Sequence, residues 1–381
     1  MHVLVGIAGF AIILIILGDA FETIILPRRV TRKIRLTRLF YRNTWLPWRA
    51  LATRVRDRKL RESLLSLFGP MSLLMLLVLW AVAMIVAFAM LQWACGSKLY
   101  AHDMPPGFGM DLYVSGTNFS TLGIGDIIPR SGMARFLTAL EAATGFGFLA
   151  LVIGYLPVIY QAFSRRESHI SLLDARAGSP PAATELIRRY AESRALNEIE
   201  PLLLEWEHWA AELLESHISY PVLALFRSQH SNESWVGALT SILDTSALLI
   251  VGVETAPARQ AQLTFAMARH AVVDLAQVLQ TPPLRPEPDR LPAEALVRLR
   301  NMLRQYRVPL RDGIAAGEKL SELRRMYEPY VNALADYLMV SLPSWFPSER
   351  TPDNWQTSAW ERAAKRIPPA DAFDPGLDDH Y

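Results

Sequence analysis

The sequence predicts an all-α membrane protein: membrane helices first, then a helical region outside the bilayer. Two observations carry this. Three long apolar runs fall within the first 165 residues, although charged residues make up 20% of the 381-residue chain. Beyond residue 165, apolar positions recur at helical spacing between charged ones, as in IEPLLLEWEHWAAELLESH. The single cysteine, Cys95, excludes an intrachain disulfide.

The first run, residues 3–26, reads VLVGIAGFAIILIILGDAFETIIL. It is long enough for a span, which takes about 20 apolar residues. No Lys or Arg precedes it and no small-x-small cleavage pattern follows, so a retained helix is expected rather than a signal peptide. The second run covers residues 67–94 without a charge, and the third covers 133–163. Between the first two runs, residues 28–61 carry thirteen Arg or Lys, and Arg165 and Arg166 follow the third. The positive-inside rule then places 28–62 and the C-terminal region in the cytoplasm. The N-terminus and the 96–132 loop face outward, in a multi-pass cell-membrane protein. Residues 28–61 mix Arg with Val30, Ile34, Leu39, Phe40, Trp45 and Trp48. That pattern suits a segment lying along the membrane face, with anionic lipids as its partner. Nucleic acid is not an expected partner, because the bilayer holds the segment at both ends.

The outer loop ends in FSTLGIGDIIP, residues 119–129. Residues 108–120 are long enough for about three helical turns before it. Non-helical backbone at membrane depth survives only when buried in protein or lining water. Gly123 and Gly125 can take positive φ, which lets successive carbonyls point to one side. A row of carbonyl oxygens can replace the hydration shell of a cation. The C-terminal end of the preceding half-helix would aim its negative dipole end at the same place.

TLGIGD resembles the selectivity filter of the potassium channel family, whose usual form is Thr-Val-Gly-Tyr-Gly-Asp. Thr121, Gly123, Gly125 and Asp126 match; Leu122 stands for Val, and Ile124 for the aromatic residue. The resemblance covers residues 67–163. It implies a pore-loop fold of outer helix, pore helix, filter and inner helix. It also implies ion binding by Thr121, Leu122, Gly123, Ile124 and Gly125, and a homotetramer. No cofactor is implied beyond permeant potassium ions. Tyr113 falls where the family often has a Trp bonded to the filter aspartate, so a Tyr113–Asp126 hydrogen bond is expected. Gly145 falls at the family's hinge position in the inner helix, with Phe146, Leu149 and Ile153 facing the cavity below the filter.

Glu141, one turn before Gly145, is expected to brace the pore helix as filter support; proton sensing is the sharper alternative. Asp19 and Glu22 are expected to pair with nearby Arg. Gly154 and Pro157 mark either a helix end or a bend at the inner mouth. The sequons at Asn118 and Asn232 are expected to stay unglycosylated, the first within the half-helix and the second in the cytoplasm. Glu205 and His208 read as a solvated helix face.

The expected organisation is a membrane helix in 1–27, a basic interfacial segment in 28–63, a pore domain in 64–164 and a helical cytoplasmic domain in 165–381. Within the last, helices are expected from Ser179-Pro180 onward, at 234–254 as a buried soluble helix, and at 257–280, 292–306 and 313–341. A proline-rich linker precedes residue 292, and irregular chain follows Pro343. There is no Gly-rich nucleotide fingerprint, no regular Arg ladder, and no converging nucleophile, base or metal set, so no enzymatic activity is expected. The chain thus reads as a cation channel, with potassium as the expected ion. The alternative is a membrane-anchored signalling or scaffold protein with a non-conducting pore domain.

Overall fold

The structure is a computed structural model. It describes residues 2–26, 35–96, 99–101, 107–192, 196–230, 233–253, 257–308, 311 and 313–347. Arg28–Ile34 of the basic stretch, Asn232 and the chain from residue 348 lie outside the described residues.

The described chain is helical apart from two three-residue strands. It divides into two compact units: Met1–Arg166 with Glu212–Ser228, and Glu167–Ala211 with Gln229–Tyr381. Among the described residues, four helices could cross a membrane by length and composition: His2–Ile25, Arg58–Ala94, Gly132–Ala177 and Trp235–Gly252.

In the first unit, α1 (His2–Ala20) ends in a π-helical turn, Phe21–Ile25, and packs against α3 (Arg58–Ala94). Its outward face keeps Val3, Ile7, Phe10 and Leu14 exposed, as a lipid-facing helix would. Between them lies α2 (Leu36–Arg54), seated on α3 by the Trp45–Phe68 ring contact and by Trp48 Nε1 donating to the Leu64 carbonyl at 3.0 Å. Sequence reasoning pairs Asp19 with an arginine. Instead its carboxylate accepts from the Thr37 backbone N–H at 3.1 Å and from the Thr37 hydroxyl at 2.5 Å. Thr37 is in the first turn of α2, whose free N–H groups attract an acidic cap. Glu22 does pair, with Arg35 at 3.5 Å.

The connection between α3 and the next long helix holds β1 (Leu99–Ala101), α4 (Phe108–Phe119) and β2 (Ile127–Pro129). The two strands pair antiparallel, Leu99 opposite Pro129 and Ala101 opposite Ile127. This pairing has no counterpart in the sequence reading, because three residues are too short for an alternation to show. Next comes α5 (Gly132–Ala177), whose 46 residues run uninterrupted past Gly154 and Pro157. The helix-end reading of Pro157 is therefore wrong.

In the second unit, α6 (Ala183–Glu192) starts three residues beyond the expected Ser179-Pro180 start. It is followed by α7 (Ile199–Ser219), which reaches the first unit from Glu212 on, and by α8 (Trp235–Gly252) and α9 (Ala258–Val278). The remaining helices are α10 (Ala293–Gln305), α11 (Ile314–Arg325) and α12 (Glu328–Leu338). The single helix expected over 313–341 is thus two. Tyr327 leaves the helical region at φ −131°, and Pro329 follows in the first turn of α12. Every residue of α8 from Trp235 to Leu249 is buried, and the helix packs on α6, α9, α11 and α12. Ser234 caps it through the Gly237 N–H at 2.9 Å. Asp244, buried at its centre, is paired with Arg290 at 2.6 Å and accepts from the Tyr327 hydroxyl.

Candidate functional site

The expected half-helix is α4, and its C-terminal end builds the start of TLGIGD. The Thr121 N–H donates to the Asn118 carbonyl at 2.9 Å, and the Leu122 N–H to Thr117 at 2.8 Å. This is the Schellman pattern, with the residue past the cap in left-handed conformation. Here that residue is Thr121, at φ 58°. Gly123 at φ 54° and Gly125 at φ 80° repeat the conformation two and four residues on, while Leu122 and Ile124 keep negative φ. Alternation of this kind turns successive carbonyls to one side, where a β-strand would turn them to both. Sequence reasoning found the two glycines. It named Thr121 as well but not its left-handed backbone, which follows from its place one residue past a helix cap.

Both ends of the loop are anchored. Below it, α4 holds Ser120, Thr121 and Leu122 by backbone bonds. Above it, Ile127 is buried with Leu99, Met110, Val114 and Ala134, and Tyr113 packs against this cluster. The Tyr113 hydroxyl donates to Asp126 at 3.0 Å, the hydrogen bond that the family resemblance implies. Ser120 to Asp126 are all exposed in the single chain, Leu122 at 66% and Ile124 at 55%.

Behind the loop, Glu141 of α5 is fully buried. It is hydrogen-bonded to the Ser115 hydroxyl of α4, and that hydroxyl lies 2.6 Å from the Ile85 carbonyl of α3. One carboxyl group thereby ties three helices together. Ser115 was not singled out in the sequence, since nothing local marks which hydroxyl will meet a distant acid. Gly145 has a role beyond hinge spacing: a Cβ there would lie 2.0 Å from the Phe119 carbonyl oxygen. α5 therefore rests directly on the last turn of α4, and only glycine permits that approach. The helix continues through both Gly145 and Gly154 without a break. Phe146, Leu149 and Ile153 share an exposed face of α5, Phe146 at 67% and Ile153 at 64%.

Residues 73–161, from α3 through α4 and the loop into α5, match a protein family described as "Ion channel". The uncharacterized membrane protein YdjJ of Bacillus subtilis (strain 168) is 24% identical over 190 residues, 47% of this chain and 52% of that protein. The chain thus spans about half the length of this relative. No solved structure matches the chain. The fold is that of an all-α membrane channel, and its segment 73–161 is similar to ion channels.

Proposed function

We propose that four copies of this chain form a cation channel, with potassium as its principal ion. The observation that carries the reading is the left-handed alternation at Thr121, Gly123 and Gly125, set at the C-terminal end of α4. One chain supplies one carbonyl strand, and a ring of four surrounds an ion. Leu122 and Ile124 on that strand, and Phe146, Leu149 and Ile153 on α5, are exposed apolar residues, as expected of surfaces that neighbouring copies and the pore would share. Thr121 to Gly125 bind the permeant ions through backbone carbonyls, with the Thr121 hydroxyl adding one more ligand. Tyr113, Asp126 and Glu141 support the strand. The N-terminus faces outward and the second unit faces the cytoplasm. The basic residues of α2 rest on anionic lipid headgroups of the inner leaflet.

Purified protein in liposomes tests this. Potassium flux exceeding sodium flux is expected, together with a detergent-solubilised mass of four chains. Gly123→Ala places a Cβ where φ is +54° and should abolish flux without changing the assembled mass. No flux from the unaltered protein would overturn the channel reading in favour of a membrane-anchored scaffold.

A further inference from the structure

A segment far along the chain returns to complete the first unit. Glu212–Ser228 comprises the end of α7 and a 3₁₀ turn, Pro221–Leu225, and belongs with Met1–Arg166. It packs between the last membrane turns of α5 and the first of α3. Val222 and Leu223 are buried with Leu73 of α3 and with Tyr155, Ile159 and Ala162 of α5. The Tyr220 ring meets Tyr155 at 5.7 Å, and the Phe226 ring meets Phe163 at 5.7 Å. On the α3 side, a Cβ at Gly69 would lie 2.8 Å from the Phe226 ring and 3.0 Å from the Leu225 carbonyl oxygen. Arg227 pairs with Glu62 at 2.8 Å.

Arg166 fastens this strap. It is 4% exposed. It donates to the Leu223 carbonyl at 2.8 Å and the Phe226 carbonyl at 2.7 Å, and its guanidinium stacks on Phe163 at 5.1 Å. Its Nη1 lies 3.2 Å from His217 Nε2, and His217 Nδ1 lies 2.8 Å from the Leu213 carbonyl. These contacts define one tautomer: Nδ1–H donates to Leu213, and Nε2 accepts from Arg166. Burial, and then the neighbouring Arg166 charge, push the His217 pKa well below its ordinary value, which keeps the ring neutral.

We infer that Arg166 is a positioning residue for the pore: through the 220–227 strap it sets where the inner end of α5 stands relative to α3, and so how often the cytoplasmic mouth conducts. This rests on the channel reading above. It assigns to Arg166 a role in opening and none in ion choice, because Arg166 is remote in sequence from the filter and its bonds go to the strap.

Single-channel recording of the full chain in planar bilayers separates the two. Arg166→Gln should shift the open probability about tenfold or more, the scale expected when a buried guanidinium loses carbonyl hydrogen bonds. Unit conductance and the potassium-to-sodium preference should stay unchanged, and Arg166→Lys should restore part of the effect. A second route covers misfolding of the Gln variant. Ala162→Cys with Val222→Cys, in a Cys95→Ser background, can be bridged by a short reversible bis-thiol reagent. Bridging should change the open probability, and reductant should reverse the change. A bridge confirmed by gel mobility that leaves opening unaltered overturns the proposal. So does an Arg166→Gln channel that opens like the unaltered one. Absence of any current from the unaltered chain would instead bring down the channel reading, and this proposal with it.

Discussion

At the residue scale, the contact between Glu141 and Ser115 behind the 120–126 loop is a problem of proton supply. The Ser115 hydroxyl has one proton and two acceptor neighbours, the Glu141 carboxyl group and the Ile85 carbonyl. The chain of bonds closes when the carboxyl group donates to Ser115 and Ser115 donates to Ile85. A glutamine can make the same donation and an alanine cannot. Glu141→Gln should therefore keep the tetramer and its currents close to those of the unaltered protein. Glu141→Ala should destabilise the pore unit by about 1–3 kcal/mol, the cost of leaving a buried polar group unpaired. Thermal melts of the detergent-solubilised complex measure both. Currents of Glu141→Gln recorded across a pH series also decide between brace and sensor, since an unchanged pH dependence excludes the sensor. Position and chemistry separate what was legible here. Thr121, Gly123, Gly125, Asp126 and Tyr113 lie within one short stretch, where the resemblance of TLGIGD to a channel filter relates them. Ser115, Phe119 and Thr37 acquire their meaning from partners far off in the chain, and no local pattern marks them.

At the element scale, long periodic segments were readable and their junctions were not. α1, α7 and α9 lie where apolar spacing puts them and α4 fills the stretch expected for the half-helix, whereas α3 begins at Arg58, nine residues before the apolar run that starts at 67. The expected helix over 313–341 divides at Tyr327, where the backbone leaves the helical range ahead of Pro329 and the phenol reaches Asp244. α8 shows how tertiary context resolves an ambiguous pattern. It is apolar enough to span a membrane, yet it is buried by the helices of its own unit. Its one acid is answered by Arg290 and Tyr327. Without Asp244, Arg290 keeps Glu328 at 3.3 Å as a counter-charge, so the loss is that of the hydrogen bonds to a charged group, about 1.5–3 kcal/mol. Asp244→Ala should accordingly lower hydrogen-exchange protection across α8 and α12 by that amount, measured on the full chain. Protection lost only at the helix ends would show that Asp244 does not hold this core together.

At the scale of the whole molecule, the division of the chain is the least legible feature. Composition shifts once, near residue 165, and suggests a membrane half followed by a soluble half. The structure places a later segment, Glu212–Ser228, back with the first half. Nothing in the composition of YPVLALFR distinguishes it from an ordinary loop after a helix, and only its partners on α3 and α5 give it meaning. The consequence concerns how the protein is made. When the ribosome has just released Arg166, α3 and the apolar part of α5 already exist. The guanidinium at the end of the latter then has no carbonyls to bind, and Tyr155 and Phe163 have no rings to meet. The membrane part can finish folding only after translation has passed Ser228. A chain truncated after Arg166 should therefore insert but yield little stable tetramer, whereas one that continues through Ser228 should recover it. Size-exclusion profiles of the two truncations decide the matter, and equal yields would show that the first unit matures without its returning segment.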